Sequence, residues 1–95
     1  MANGAWLVEW TESERGWGKR PDGCWYYPSE KVAKKQTAAL LKEMRDREAK
    51  IYKGSTPDEY SYPENPVFVP VSAELAAEIK KHGEVYRHRP EKAAA

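Results

Sequence analysis

Ala5-Trp6-Leu7-Val8-Glu9-Trp10-Thr11 is the stretch that decides the fold. Alternate residues of a strand point to opposite sides, so Trp6, Val8 and Trp10 share one face and Leu7, Glu9 and Thr11 the other. Aromatic and β-branched residues suit a pleated, half-buried surface. The segment therefore reads as a strand with one face firmly buried. Outward from it, Glu12 to Gly23 reads as a polar loop, closed by the turn signal Pro21-Asp22-Gly23, in which proline presets φ and glycine permits positive φ. Cys24 to Tyr27 reads as a short aromatic strand returning antiparallel to the first.

Pro28-Ser29 then opens a helix. Ser29 can cap the free N–H groups, and Glu30 suits the positive end of the helix dipole. Val32, Ala33, Thr37, Leu40, Leu41, Met44, Glu48 and Ile51 follow a period of roughly 3.6 residues and form the packing stripe. The helix is expected to end near Tyr52, with Gly54 as its stop. Ser55 to Pro66 is rich in Pro and Tyr, and Tyr60 and Tyr62 share a side if that stretch is extended. Val67 to Val71 reads as a strand, and Pro70, which has no N–H to donate, puts it at a sheet edge or at its own end. Ser72 caps a shorter helix with Leu75, Ala76 and Ile79 as its apolar side and Gly83 as its stop. Val85 and Tyr86 can add a last strand. Residues 1–4 and 88–95 are expected to be loose ends.

These elements make one α+β domain over residues 1–95. The expected architecture is a small antiparallel or mixed sheet with one long and one short helix packed on one face. A chain of 95 residues holds one core. Four Trp, six Tyr and one Phe give it large burial payloads and argue against disorder. A small sheet leaves edges, through which a homo-oligomer can form.

Composition narrows the function. The formal net charge of +1 argues against a duplex-DNA binder, which needs a basic excess. No apolar run approaches the ~20 residues of a membrane span, and no basic segment followed by an apolar run marks a leader, so a cytoplasmic location is expected. The single cysteine, Cys24, cannot make an internal disulfide. Catalytic signals are weak. Cys24 with His82 or His88 can be drawn as a dyad, but a lone strand cysteine is more often a small buried hydrophobe. Glu9 and Glu12 can be drawn as an acid–base pair, yet nothing singles them out. There is no zinc-ligand spacing, no phosphate-binding P-loop and no His-Glu-x-x-His. The expectation is a protein that binds without catalysis and without a cofactor or metal.

The most informative segment is Arg15-Gly16-Trp17-Gly18-Lys19-Arg20-Pro21-Asp22-Gly23. Trp17 lies between glycines, which let a backbone approach a partner closely. Arg15, Lys19 and Arg20 surround it. An exposed ring beside guanidinium groups can stack a base and grip phosphate oxygens, and the same residue types dominate protein interfaces. The plain alternative is that Trp17 folds back over the sheet and that Arg15 and Arg20 pair with Asp22, Glu12 or Glu14. Tyr26, Tyr27, Tyr60 and Tyr62 form a second group, either recognition surface or sheet packing. Lys31, Lys34, Lys35, Lys42, Arg45, Arg47, Lys50 and Lys53 give the long helix a basic excess, which most often marks a solvated face.

Trp6 to Trp10, followed by Arg15 to Gly23 and later by Pro57-Asp58-Glu59-Tyr60, resembles small phage and prophage accessory proteins of the anti-defence type. The resemblance covers about the first half of the chain and the segment 57–62. It implies either a sponge that sequesters a nucleotide-derived signal or a direct inhibitor of a host immune complex, in the manner of an anti-CRISPR, in the host cytoplasm. It carries no residue-level motif. Combined with the residues above, the leading expectation is a nucleotide-derived ligand, stacked by Trp17 with Tyr60 or Tyr62 and held by Arg15, Arg20 and Lys19. A host-protein ligand is second, and weak binding of single-stranded nucleic acid through the basic helix is third.

Overall fold

A computed structural model describes residues 3–14, 16, 18–53 and 59–91. The elements run β1 (Gly4–Glu14), β2 (Gly18–Tyr27), α1 (Glu30–Tyr52), β3 (Glu59–Pro63), β4 (Val67–Pro70), α2 (Ala73–His82) and β5 (Val85–Arg87). All strand pairs are antiparallel, in the order β3-β1-β2-β5, with β4 also on β1. The α+β class is as expected.

β1 organises the sheet. Its second half pairs with β3 (Thr11 opposite Tyr62), and its first half with β4 (Trp6 opposite Phe68). β3 and β4 thus form one long edge strand with an irregularity at 64–66, where Glu64 N–H still donates to Glu9 C=O at 2.8 Å. On the other side β1 and β2 make a hairpin far longer than expected, because Glu12 to Gly23 is mostly strand. Two features explain this. Glu12 lies opposite Arg20 and Ser13 opposite Lys19, so polar pairs carry the ladder where no apolar alternation shows. The Pro21-Asp22-Gly23 signal is spent on a bulge, a register shift between Glu9 and Thr11, rather than on a reversal. Gly23 takes φ 87°, a conformation glycine adopts without steric cost.

The helices divide the sheet between them instead of sharing one face. Both faces of β1 are apolar over Ala5 to Val8, so each demands a cover. Ala5, Leu7, Cys24, Tyr26 and Val85 pack with Leu75 and Ile79 of α2. Val8, Trp10 and Tyr27 pack with Ala33 of α1, flanked by Trp6, Trp25, Val32, Leu40, Leu41 and Met44. The alternation read from Trp6, Val8 and Trp10 holds. Ile51, placed on the α1 stripe, is 64% exposed.

Local chemistry sets the helix ends. Ser29 Oγ accepts from Val32 N–H at 3.2 Å, and Ser72 Oγ accepts from Leu75 N–H at 3.2 Å. Gly83 closes α2 at φ 79°, as expected. Lys53 closes α1 in the left-handed region, and Gly54, the expected stop, lies outside the described residues. The segment after β5 is tied where a loose end was expected. Glu91 N–H donates to Tyr26 Oη at 2.8 Å, and the Glu91 carboxylate accepts from Ser72 N–H at 2.6 Å and Ser72 Oγ at 2.7 Å. A capping box normally takes its carboxylate from the third helical residue, here Leu75. Glu91 supplies that carboxylate from a distance.

The long edge is guarded. Val71 N–H donates to Asn3 C=O at 3.0 Å, and with Glu64 N–H on Glu9 this sets the phase of both ladders. Pro63, Pro66 and Pro70 then fall at outward positions, where a further strand would find no N–H. The outward carbonyl of Ser61 accepts from Arg45 at 3.0 Å. Pro70 at an edge matches the reading from sequence. The same guarding weighs against self-association through this edge.

Candidate functional site

Directly opposed residues of an antiparallel pair point to the same side. Thr11 faces Tyr62 and Pro21, and Ser13 faces Tyr60 and Lys19. These six side chains therefore lie on the α2 side of the sheet. α2 packs only over the far end, around Leu7 and Tyr26. Among the described residues, no element covers the face that they form.

Its centre is aromatic and cationic. The Lys19 ammonium lies over the Tyr62 ring, 5.6 Å from the centroid. Tyr60 and Tyr62 have ring centroids 6.0 Å apart and planes inclined by 38°. Tyr60 is 40% exposed and Tyr62 half-buried. Thr11 Oγ1 donates to the Glu64 carboxylate at 3.1 Å beside them. The Lys19 ammonium is raised above its ordinary pKa, first by its hydrogen bond and attraction to Tyr62, then by Tyr60 and Glu64. It is a cation throughout the physiological range.

The opposite face of the same strands is committed to structure. Arg20 Nε and Nη2 donate to Glu12 at 3.0 and 3.2 Å, and Nη2 also meets Glu14 at 2.9 Å. Ser61 Oγ donates to the Asp22 carboxylate across β1. Arg45 of α1 spans Glu48 and the Ser61 carbonyl. β3 is thereby pinned from behind, and its tyrosines are presented in front.

Of the residues picked from sequence, the fold brings together Lys19, Tyr60 and Tyr62. Arg20 faces the other way, because neighbours on a strand alternate, and it pairs with Glu12 and Glu14 as the plain alternative had it. Arg15 and Trp17 lie outside the described residues. Thr11, Ser13 and Glu64 belong to the face and were not singled out. Only the β1–β3 register places them there. Tyr26 and Tyr27 are core, both 1% exposed.

Cys24 is fully buried, its thiol donates to Arg87 C=O at 3.5 Å, and burial, with Glu9 adding, pushes its pKa up to about 11. Such a thiol is not a thiolate at neutral pH. Glu9 and Glu12 line an open hollow of about 860 Å³ with Arg20, Asp22, His88 and Arg89. Among the described residues, no three His, Cys, Asp or Glu side chains converge on a metal position. No described helix is long and apolar enough to cross a membrane. No family model, curated protein or solved structure matches the chain.

Proposed function

We propose that this chain is a non-catalytic binding protein that captures a nucleotide-derived ligand on the open face of β3, β1 and β2. The observation that carries the reading is the pair of exposed Tyr60 and half-buried Tyr62 with the Lys19 ammonium over the Tyr62 ring. Tyrosine rings stack bases, and an adjacent ammonium meets a phosphate oxygen. Size supports the same reading. Three strands about 4.8 Å apart and about five residues of about 3.4 Å rise make a face of about 240 Å². That footprint of the described strands suits a small ligand. Sequestration needs only affinity and copy number, so no catalytic group is required. The resemblance to phage accessory proteins supports an anti-defence sponge as its biological role.

The test is native mass spectrometry of the protein purified gently from bacterial cells, beside the Tyr60→Ala/Tyr62→Ala double variant. The reading expects a released species with nucleobase absorbance that is absent from the variant. An unliganded mass that persists after incubation with a nucleotide extract would rule it out.

A second reading is a protein-binding inhibitor or adaptor. It is favoured by Phe68 and Val67, which are 61% and 55% exposed on β4, and Phe68 lies edge-on to Trp6 with centroids 5.6 Å apart. It expects a stoichiometric host protein in a pull-down that a Phe68→Ser variant loses.

A further inference from the structure

The open face has two features that narrow the ligand class. Its two rings are not coplanar. With planes inclined by 38° and centroids 6.0 Å apart, a single base cannot lie flat on both. Each ring is a platform for its own base, Tyr62 once the Lys19 side chain swings from its ring to the phosphate, and both belong to one strand, so the two platforms follow each other in a fixed direction.

The second feature is charge. Among the described residues, the cation beside the two rings is Lys19, whose ammonium is drawn to Tyr62 and lies within electrostatic reach of Glu64. Glu64 is held on the face by its bond from Thr11. Arg20 spends its guanidinium on Glu12 and Glu14 behind the sheet. One ammonium matches one phosphodiester monoanion. A nucleoside triphosphate would bring several negative charges toward one ammonium and a fixed carboxylate, which oppose each other.

Resting on the reading that the face stacks bases, we propose that its ligand is a phosphodiester-linked dinucleotide unit, free or within a short or cyclic oligonucleotide, and not a mononucleotide or a nucleoside polyphosphate. Tyr60 and Tyr62 each take one base, and Lys19 neutralises the phosphodiester near them.

The experiment is equilibrium binding of the intact protein to four probes: adenosine, AMP, ATP and adenylyl-(3′→5′)-adenosine. The dinucleotide is expected to bind at least about tenfold more tightly than the other three, the scale of one added base–aromatic stack. Tyr60→Ala and Tyr62→Ala are each expected to abolish that preference while leaving the circular dichroism unchanged. Lys19→Gln is expected to weaken the dinucleotide and not adenosine. If ATP or AMP binds as tightly as the dinucleotide, and the tyrosine variants weaken all of them alike, the dinucleotide assignment falls and the base-stacking reading stands. If none of the four binds, the base-stacking reading falls and takes this inference with it.

Discussion

Replacing Ser61 by alanine removes one hydroxyl from the back of the strand that presents Tyr60 and Tyr62. That hydroxyl donates to the Asp22 carboxylate across β1, and Ser61 is only 9% exposed. A hydrogen bond to a charged acceptor is worth about 1.5–3 kcal/mol. Asp22 itself is exposed, so water replaces the lost donor and the lower end of that range applies. The expected loss for Ser61→Ala is about 1.5 kcal/mol. The bond from Arg45 uses the Ser61 carbonyl and survives the substitution. Urea unfolding of the parent, Ser61→Ala, Asp22→Ala and the double variant closes a cycle. The expected coupling is about 1 kcal/mol, with unchanged denaturant slopes. Strict additivity of the two single losses would refute the bond and, with it, the claim that β3 is pinned through its rear face.

Other outcomes follow from the same contacts. Gly23→Ala forces a Cβ onto a residue at φ 87° and into the Tyr86 ring, so thermal unfolding should show a loss of about 1–2 kcal/mol. Glu91→Ala removes the distant half of the α2 capping box and should cost about 0.5–1.5 kcal/mol, read as a lower urea midpoint. Stability should fall at alkaline pH. Cys24 is protonated in both states below about pH 9, and above that the unfolded chain loses a proton that the folded chain keeps until about 11. Tyr26 and Tyr27, raised by burial, add the same sign. Unfolding free energies from urea titrations between neutral pH and about pH 10 should decline, by up to about 1.4 kcal/mol per pH unit above about pH 9 from Cys24, with the tyrosines contributing mainly above about pH 10. In native protein at neutral pH, Cys24 should react with a thiol reagent far more slowly than after denaturation, as a rate assay would show.

Much of the fold was legible because its signals are local. The alternation of Trp6, Val8 and Trp10, the caps Ser29 and Ser72, and the stop at Gly83 each act within a few residues. The extra strand length from Glu12 to Gly23 was not legible, since its ladder is held by polar pairs such as Glu12 with Arg20, which carry no apolar rhythm. β3 was legible only as a Pro- and Tyr-rich stretch whose Tyr60 and Tyr62 share a side if extended, because its place beside β1 is set by long-range pairs such as Thr11 with Tyr62. The split of the helices between two faces depends on Ala5 and Leu7 being as buried as Val8, and a tertiary contact decides that. At the site, Lys19 and the tyrosine pair were chosen separately for their chemistry. Only the register of β1 with β2 and β3 shows that they meet, and that Arg20, one residue on, does not join them.

The most direct test of the central claim is a two-dimensional NMR titration of the labelled protein with adenylyl-(3′→5′)-adenosine. Shifts are expected to concentrate on Thr11, Ser13, Lys19, Tyr60 and Tyr62 and to saturate together with one affinity. Shifts confined to β4 around Phe68, or no shifts at all, would contradict it.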